Sequence, residues 1–168
     1  MFLEIPFEEW QPSLHRLFAK NRLLLTACNE RKRNTMTVGW GCFGVMWGEA
    51  VAMFAVRPSR YTHELLGRGT AVSLSELPPS YARSIAFCGA HSGREGDKLP
   101  AAGLTYAELP DGGIGIGEAG LVITGEVCYS HPMLPGELYD RALHEKWYRD
   151  GDLHTLYYAR IRAVFRSA

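Results

Sequence analysis

Residues 37–47 read Thr37-Val38-Gly39-Trp40-Gly41-Cys42-Phe43-Gly44-Val45-Met46-Trp47. Glycines at 39, 41 and 44 count against a helix, because each costs about 1 kcal/mol relative to alanine in a helix interior. Valines and aromatics favour extended chain. The segment is therefore predicted as one bent strand, its glycines marking bends or close backbone approach. Apolar runs lie on both sides of it. Residues 22–28 (Arg-Leu-Leu-Leu-Thr-Ala-Cys) and 50–56 read as strands. Trp47-Gly48-Glu49 makes a tight turn before the second run, and Pro58 ends that run. Further on, 70–74, 104–109 and 120–129 read as strands. Residues 153–165 hold a long last strand with Arg160, Arg162 and Arg166 outward.

The helical signals are fewer. Residues 61–66 form one short helix closed by Gly67 and Gly69. After the Pro78-Pro79 break, 81–88 form a second. Residues 136–149 give the best pattern: Leu138, Ala142, Leu143 and Trp147 share one face, Glu137 and Asp140 favour the N-terminus, and Gly151 stops it. Six or seven strands and three helices without a strand–helix–strand rhythm exclude a doubly wound parallel sheet. They predict a mainly β chain: an antiparallel barrel with helices packed outside, one domain over 1–168.

Composition narrows the function. The chain has 168 residues, 46% hydrophobic and 21% charged, with 18 basic against 18 acidic residues. That balance excludes a broad nucleic-acid surface, which needs clustered excess cations. The Arg31-Lys32-Arg33 run and the Arg57/Arg60 pair are local spots suited to one small anion. The first ten residues carry Glu4, Glu8 and Glu9 and lack an export signal. No apolar run reaches the roughly 20 residues of a membrane span. These features predict a cytoplasmic protein, and the four separated cysteines are expected reduced and mostly buried. Their spacing, and the absence of a second histidine four residues after His144, give no metal site.

Three polar clusters interrupt the apolar chain. Asn34-Thr35-Met36-Thr37 offers hydrogen-bond groups at a strand entry, or a turn with local side-chain caps. Arg57-Pro58-Ser59-Arg60-Tyr61-Thr62 joins a strand end to a helix start. Free N–H groups, the Ser59 or Thr62 hydroxyl and the Arg60 guanidinium would suit a phosphate monoester; the alternative is a plain helix cap. Residues 89–98 form a polar loop in which Ser92-Gly93 permits close backbone approach and Lys98 adds a point charge, or a mobile surface loop. Gly113, Gly115 and Gly117 lead into a strand rather than a helix, so they read as a turn and not a dinucleotide fingerprint. Residues 89–93 (Gly-Ala-His-Ser-Gly) lack the hydrolase nucleophile elbow. His154 opens the last strand, where an imidazole can face a planar ligand or simply sit at the surface.

In order, these stretches resemble the flavin reductase-like, FMN-binding split-barrel family, especially its flavoredoxin-like branch. The similarity rests on Asn34 to Trp40, on Val56 to Thr62, on Phe87-Cys88-Gly89 with Ser92-Gly93-Arg94 and Asp97-Lys98, and on Asp150 to His154. It implies a six-stranded antiparallel split barrel and a tight homodimer with one FMN per subunit near the interface. It implies that Asn34, Thr35, Met36 and Thr37 line the ring and ribityl chain. Arg60 and Thr62 would hold the phosphate, helped by Ser92, Gly93 and Lys98, with Arg57, Ser59 and Tyr61 in the same binding segment. His154 would lie near the ring as the catalytic candidate.

The activity implied by the resemblance is redox. NADH or NADPH passes a hydride from C4 to flavin N5, and the cofactor carries the hard step. The protein needs to align the rings and to offer donors, from backbone N–H groups or the Thr35 or Thr37 hydroxyl, where negative charge develops. Three readings stay open at this point. They are an NAD(P)H:flavin oxidoreductase supplying reduced flavin to an acceptor such as a monooxygenase, an FMN electron carrier reduced by a protein partner, and a flavin-binding module without turnover.

Overall fold

The computed structural model describes residues 2–6, 9–10, 17–18, 23–29 and 32–167. Arg22 of the first predicted strand, Arg31 of the basic run and Glu8 near the start lie outside them. Among the described residues the strands are β1 (Phe2–Ile5), β2 (Leu23–Cys28), β3 (Arg33–Val38), β4 (Gly41–Met46), β5 (Glu49–Val56), β6 (Ala71–Glu76), β7 (Tyr106–Glu108), β8 (Ile114–Ile116), β9 (Leu121–Pro132) and β10 (Thr155–Ser167). The helices are α1 (Ala82–Ala90) and α2 (Arg141–Trp147), with short 3₁₀ turns between elements.

The main sheet runs β3-β2-β6-β9-β10-β5-β4, with β1 added to β10, and every pairing is antiparallel. β3 and β4 end this path on opposite sides, yet only Gly39 and Trp40 separate them in the chain. Consecutive Cα atoms are about 3.8 Å apart, so the two sheet ends must stand within about 11 Å of each other. The sheet therefore curls into a split barrel, six strands round if the bent β3–β4 segment is counted once. The Ala55 N–H donates to the Trp40 carbonyl (3.0 Å), tying the bend to β5. Gly41 permits the restart: a Cβ there would lie 2.4 Å from the Met53 carbonyl oxygen and 2.5 Å from the Phe18 ring. The predicted bent strand is thus two strands, and pairing begins at Arg33, four residues earlier than expected.

The apolar run of β2 is continuous because both of its faces are covered. Leu23 and Leu25 enter the barrel interior with Phe54, Val56 and Tyr157. Leu24 faces the other way, into a second core with Ile85, Leu99, Ile116, Val122 and Phe165 under α1 and the β7–β8 hairpin. The outward arginines of β10 pair across strands, Arg160 with Glu49 of β5 and Arg162 with Glu126 of β9.

Several expectations change. Gly115, expected in a turn, lies within β8 and pairs with Ala107. β1 gave no strand signal, and its register is set by β10 rather than by its own pattern. Residues 61–66 form a 3₁₀ turn, Tyr61–Leu65. The predicted helix over 136–149 shrinks to a 3₁₀ turn at Pro135–Glu137 and the seven-residue α2, capped by Asp140, whose carboxylate accepts from the Ala142 N–H (2.8 Å). Its apolar face is not buried: Leu143 and Trp147 are 43% and 41% exposed. Of the cysteines only Cys88 is buried; Cys42 and Cys128 are exposed, because the outer face of β4 and the far end of β9 is uncovered.

Candidate functional site

Two adjoining cavities open beside β3. The smaller is a polar cup of about 90 Å³ and the larger a shelf of about 270 Å³; they share Met36 and Arg60. Asn34 and Met36, two apart on β3, both face the cup, as strand alternation requires. Thr35, between them, lines neither cavity. Its hydroxyl meets Thr26 Oγ1 (2.9 Å) and the Tyr106 hydroxyl (3.4 Å) in the interior. Thr37 lines the shelf, but its hydroxyl donates to the Ile85 carbonyl of α1 (2.5 Å).

The cup brings together most of the sequence-predicted residues: Asn34, Met36, Ser59, Arg60, Tyr61, Thr62, Ser92, Gly93 and Lys98. Asn34 Nδ2 donates to Thr62 Oγ1 (2.7 Å), joining β3 to the 3₁₀ turn. Gly93 passes so close that a Cβ would fall 2.0 Å from Asn34 Oδ1. Arg60 donates one N–H to the Gly89 carbonyl (2.6 Å). Lys98 is buried and donates to the Cys88 and His91 carbonyls (2.8 and 2.7 Å), closing the C-terminal end of α1. A guanidinium has five N–H donors and an ammonium three, so both cations keep donors beyond these bonds.

The electrostatics of the cup are one-sided. Burial lowers the pKa of Arg60 and of Lys98, and Arg60 pushes Lys98 further down. No aspartate or glutamate is among the described residues that line the cup. Two partly desolvated cations without a carboxylate favour an anion between them. The positive charge comes from side chains rather than from a helix end: the Tyr61–Leu65 turn is too short to carry a macrodipole of consequence.

Arg57 and Ser59 are anchors in this geometry. Arg57 binds Asp150 (3.1 Å) and the Trp147 carbonyl (2.7 Å), and Ser59 Oγ donates to Asp152 Oδ2 (2.5 Å). Together they fasten the chain after β5 to the turn before β10, where His154 sits. His154 lines the shelf and stacks on Trp40, ring centroids 4.6 Å apart and 33° from parallel. Its Nδ1 shares a hydrogen bond with the Tyr148 hydroxyl (2.9 Å), and Trp147 stands edge-on to Trp40 at 5.1 Å. Burial first, then Arg57, pushes His154 down to about 4. At neutral pH its imidazole is therefore uncharged: a planar hydrogen-bonding wall rather than a stored proton.

Trp40, His91 and Arg94 also line these cavities, although sequence reasoning assigned them no role. A tryptophan flanked by glycines at 39 and 41 was the available signal for Trp40, since such a residue has room on both sides. Among the described residues no cluster of three or more His, Cys, Asp or Glu is placed to hold a metal, and no helix is long and apolar enough to cross a membrane.

Comparison with known proteins agrees with this architecture. A split-barrel domain protein from Shewanella frigidimarina superposes with a TM-score of 0.67 at 14% identity, covering 98% of this chain and 80% of that one. An FMN-binding protein from Thermus thermophilus, with bound p-hydroxybenzaldehyde, gives 0.65 at 22% identity over 86% of this chain and 70% of that one. The NADH:FAD oxidoreductase SgcE6 of Streptomyces globisporus C-1027, in complex with NAD and FAD fragments, gives 0.62 at 13% identity over 88% and 75%. No curated protein matches the chain significantly. Residues 14–167 match the flavin reductase like domain, so the chain belongs to the flavin reductase-like split-barrel family.

Proposed function

We propose that the chain binds FMN along the cup and shelf and works as an NAD(P)H-dependent flavin oxidoreductase in a homodimer. The observation that carries this reading is the direct continuity of an acid-free cup, lined by Arg60, Lys98 and the Glu64-paired Arg94, with an aromatic shelf, through Met36 and Arg60. A phosphate suits the first and a planar ring the second. The fit is supported by Gly93, where a side chain would fill the cup, and by the free donors on Arg60 and Lys98. Arg60, Lys98, Thr62, Ser92 and Gly93 hold the phosphate in this reading. Asn34, Met36 and Thr37 line the rest of the groove, while Thr35 braces β3 from behind.

FMN held by these residues would supply the redox chemistry, as the hydride acceptor for NADH or NADPH and the source of electrons for an acceptor such as a monooxygenase. The chain supplies alignment and polarity. Trp40 and His154 form a flat wall that excludes water from one side of the shelf. His154 acts as a neutral positioning group, held by Tyr148 and Trp40. The Thr37 proton is directed to Ile85, so backbone N–H groups are the better donors for negative charge on the ring. A second copy of the chain covers the exposed face of α2 and completes the shelf beside Trp147.

Comparing FMN with riboflavin, which lacks the phosphate, tests the assignment. FMN binds at least tenfold more tightly to the unaltered protein. Arg60→Ala removes a charge-assisted bond of about 1.5–3 kcal/mol, a loss of roughly 10- to 150-fold for FMN, and leaves riboflavin affinity unchanged. Equal affinities for FMN and riboflavin would place the phosphate elsewhere.

A further inference from the structure

Arg57 and Arg60 stand three residues apart, yet they serve different cavities. The Arg60 N–H donates to the Arg57 carbonyl (3.0 Å) across a tight turn with Pro58 at its second position. Arg60 lines both the cup and the shelf, whereas Arg57 lines the shelf and not the cup. Three contacts occupy the Arg57 guanidinium. Its Nη1 donates to the Asp150 carboxylate (3.1 and 3.3 Å) and its Nη2 to the Trp147 carbonyl (2.7 Å). Its central carbon lies 5.4 Å from the centre of the Tyr148 ring.

Through these contacts Arg57 reaches the aromatic wall of the shelf. Trp147 and Tyr148 both stand edge-on to Trp40, at 5.1 and 6.3 Å. The Tyr148 hydroxyl meets His154 Nδ1 (2.9 Å), and His154 stacks on Trp40 at 4.6 Å. Four rings from three segments of the chain thus close on one another. No residue of α2 is buried, so packing does little to fix the end of that helix. A planar guanidinium can meet a carboxylate, a carbonyl and a ring face together, whereas an ammonium offers its donors from a single point.

We propose that Arg57 is a positioning residue of the shelf: it fixes Trp147 and Tyr148, and through them Trp40 and His154, against the ring of the ligand, and takes no part in holding the phosphate. This rests on the placement of FMN across the cup and shelf, and it moves to the ring end a cation that sequence position alone groups with the phosphate.

Riboflavin and FMN affinities are measured for the unaltered protein and for Arg57→Lys, Arg57→Gln and Asp150→Asn, with folding checked by circular dichroism. Both Arg57 variants should weaken riboflavin and FMN by the same factor, about tenfold. Asp150→Asn alters a side chain that is 65% exposed and should weaken both by about threefold. If the Arg57 variants do not fold, Asp150→Asn decides by the same comparison. The His154 imidazole, followed by NMR without flavin, gives a second readout. Besides Arg57, the groups around it are Asp152, the Tyr148 hydroxyl and Arg60 of the same shelf. It should titrate at about 4 in the unaltered protein. Arg57→Gln removes a cation and frees Asp152 from its ion pair, and should raise that value by about one pH unit or more; Arg57→Lys keeps the charge and should hold it within about half a unit. Riboflavin affinity unchanged in both Arg57 variants would overturn the proposal, and a loss confined to FMN would overturn it by returning Arg57 to the phosphate. If the unaltered protein binds neither flavin, the flavin site itself falls. A His154 titration moved by Arg57→Gln would then still uphold the hold of Arg57 on the wall, and one left in place would overturn it.

Discussion

The cup and the segment around α2 both carry charged and aromatic side chains, but they use them differently. In the cup the central polar groups are tied between elements: Asn34 to Thr62, Arg60 to Gly89, Lys98 to Cys88 and His91. Around α2 the side-chain ties made by the helix itself are local, Arg141 to Glu145 and the Asp140 cap, and Arg57 reaches only the carbonyl at its end. Its large apolar groups are left out, with Tyr139 94% exposed. The cup is organised by one copy of the chain. The α2 face has the sequence pattern of a buried helix without a surface in the same chain to bury it. A strong amphipathic pattern reports that a face is to be covered, and not which molecule covers it.

The contrast can be broken most readily at Lys98. Lys98→Met leaves the buried Cys88 carbonyl and the half-buried His91 carbonyl without their donor, and should cost about 1–3 kcal/mol in denaturant unfolding; a cost under 0.5 kcal/mol would mean that the cup is not braced from behind. Gly93→Ala comes next. Its methyl group meets Asn34 Oδ1 and the Tyr61 ring, so about 1–3 kcal/mol of overpacking is expected together with loss of FMN binding. Tight FMN binding by that variant would show that the cup has more room than its geometry gives.

A titration probes the shelf. His154 has a folded pKa of about 4 against an ordinary 6.5. Between those values the unfolded chain takes up a proton that the folded one refuses, so stability falls as pH drops from 6.5 towards 4. Discounted for the half-open setting, the contribution is about 1–2 kcal/mol. His154→Phe should flatten the slope without abolishing it, because burial lowers His63 as well. An unchanged slope would mean that the ring is solvated. The smallest effect is expected at α2, where Leu143→Asp should alter chain stability by about 0.5 kcal/mol or less. Light scattering should nevertheless show it moving from twice the chain mass to the single chain. A variant that keeps the larger mass would remove α2 from the dimer contact.

What the sequence disclosed follows the same division. Local signals were legible: the glycines and aromatics of 37–47 and the β2 leucines placed strands near their observed positions, and four residues of the Arg57–Thr62 segment line the polar cup. What depends on partners distant in the chain was not. The hydroxyls of Thr35 and Thr37 are directed to Tyr106 and Ile85, 71 and 48 residues away. Arg57 and Ser59 are drawn to Asp150 and Asp152, 93 residues on. β1 and β8 are strands because β10 and β7 offer them edges. Strand alternation separates Asn34 and Met36 from Thr35, but only once the strand is known to begin at Arg33. A residue type in a motif therefore fixed the chemistry available, and the barrel decided which way it points.

The central claim is a flavin site reduced by a nicotinamide nucleotide. Visible absorption of the purified protein, recorded anaerobically before and after NADH and then NADPH, tests it most directly. The account predicts flavin bands, present on isolation or after adding FMN, that bleach within seconds with one of the two nucleotides. Bands that persist with both would contradict the reductase and leave an electron carrier, and a protein that takes up no FMN would contradict the site itself.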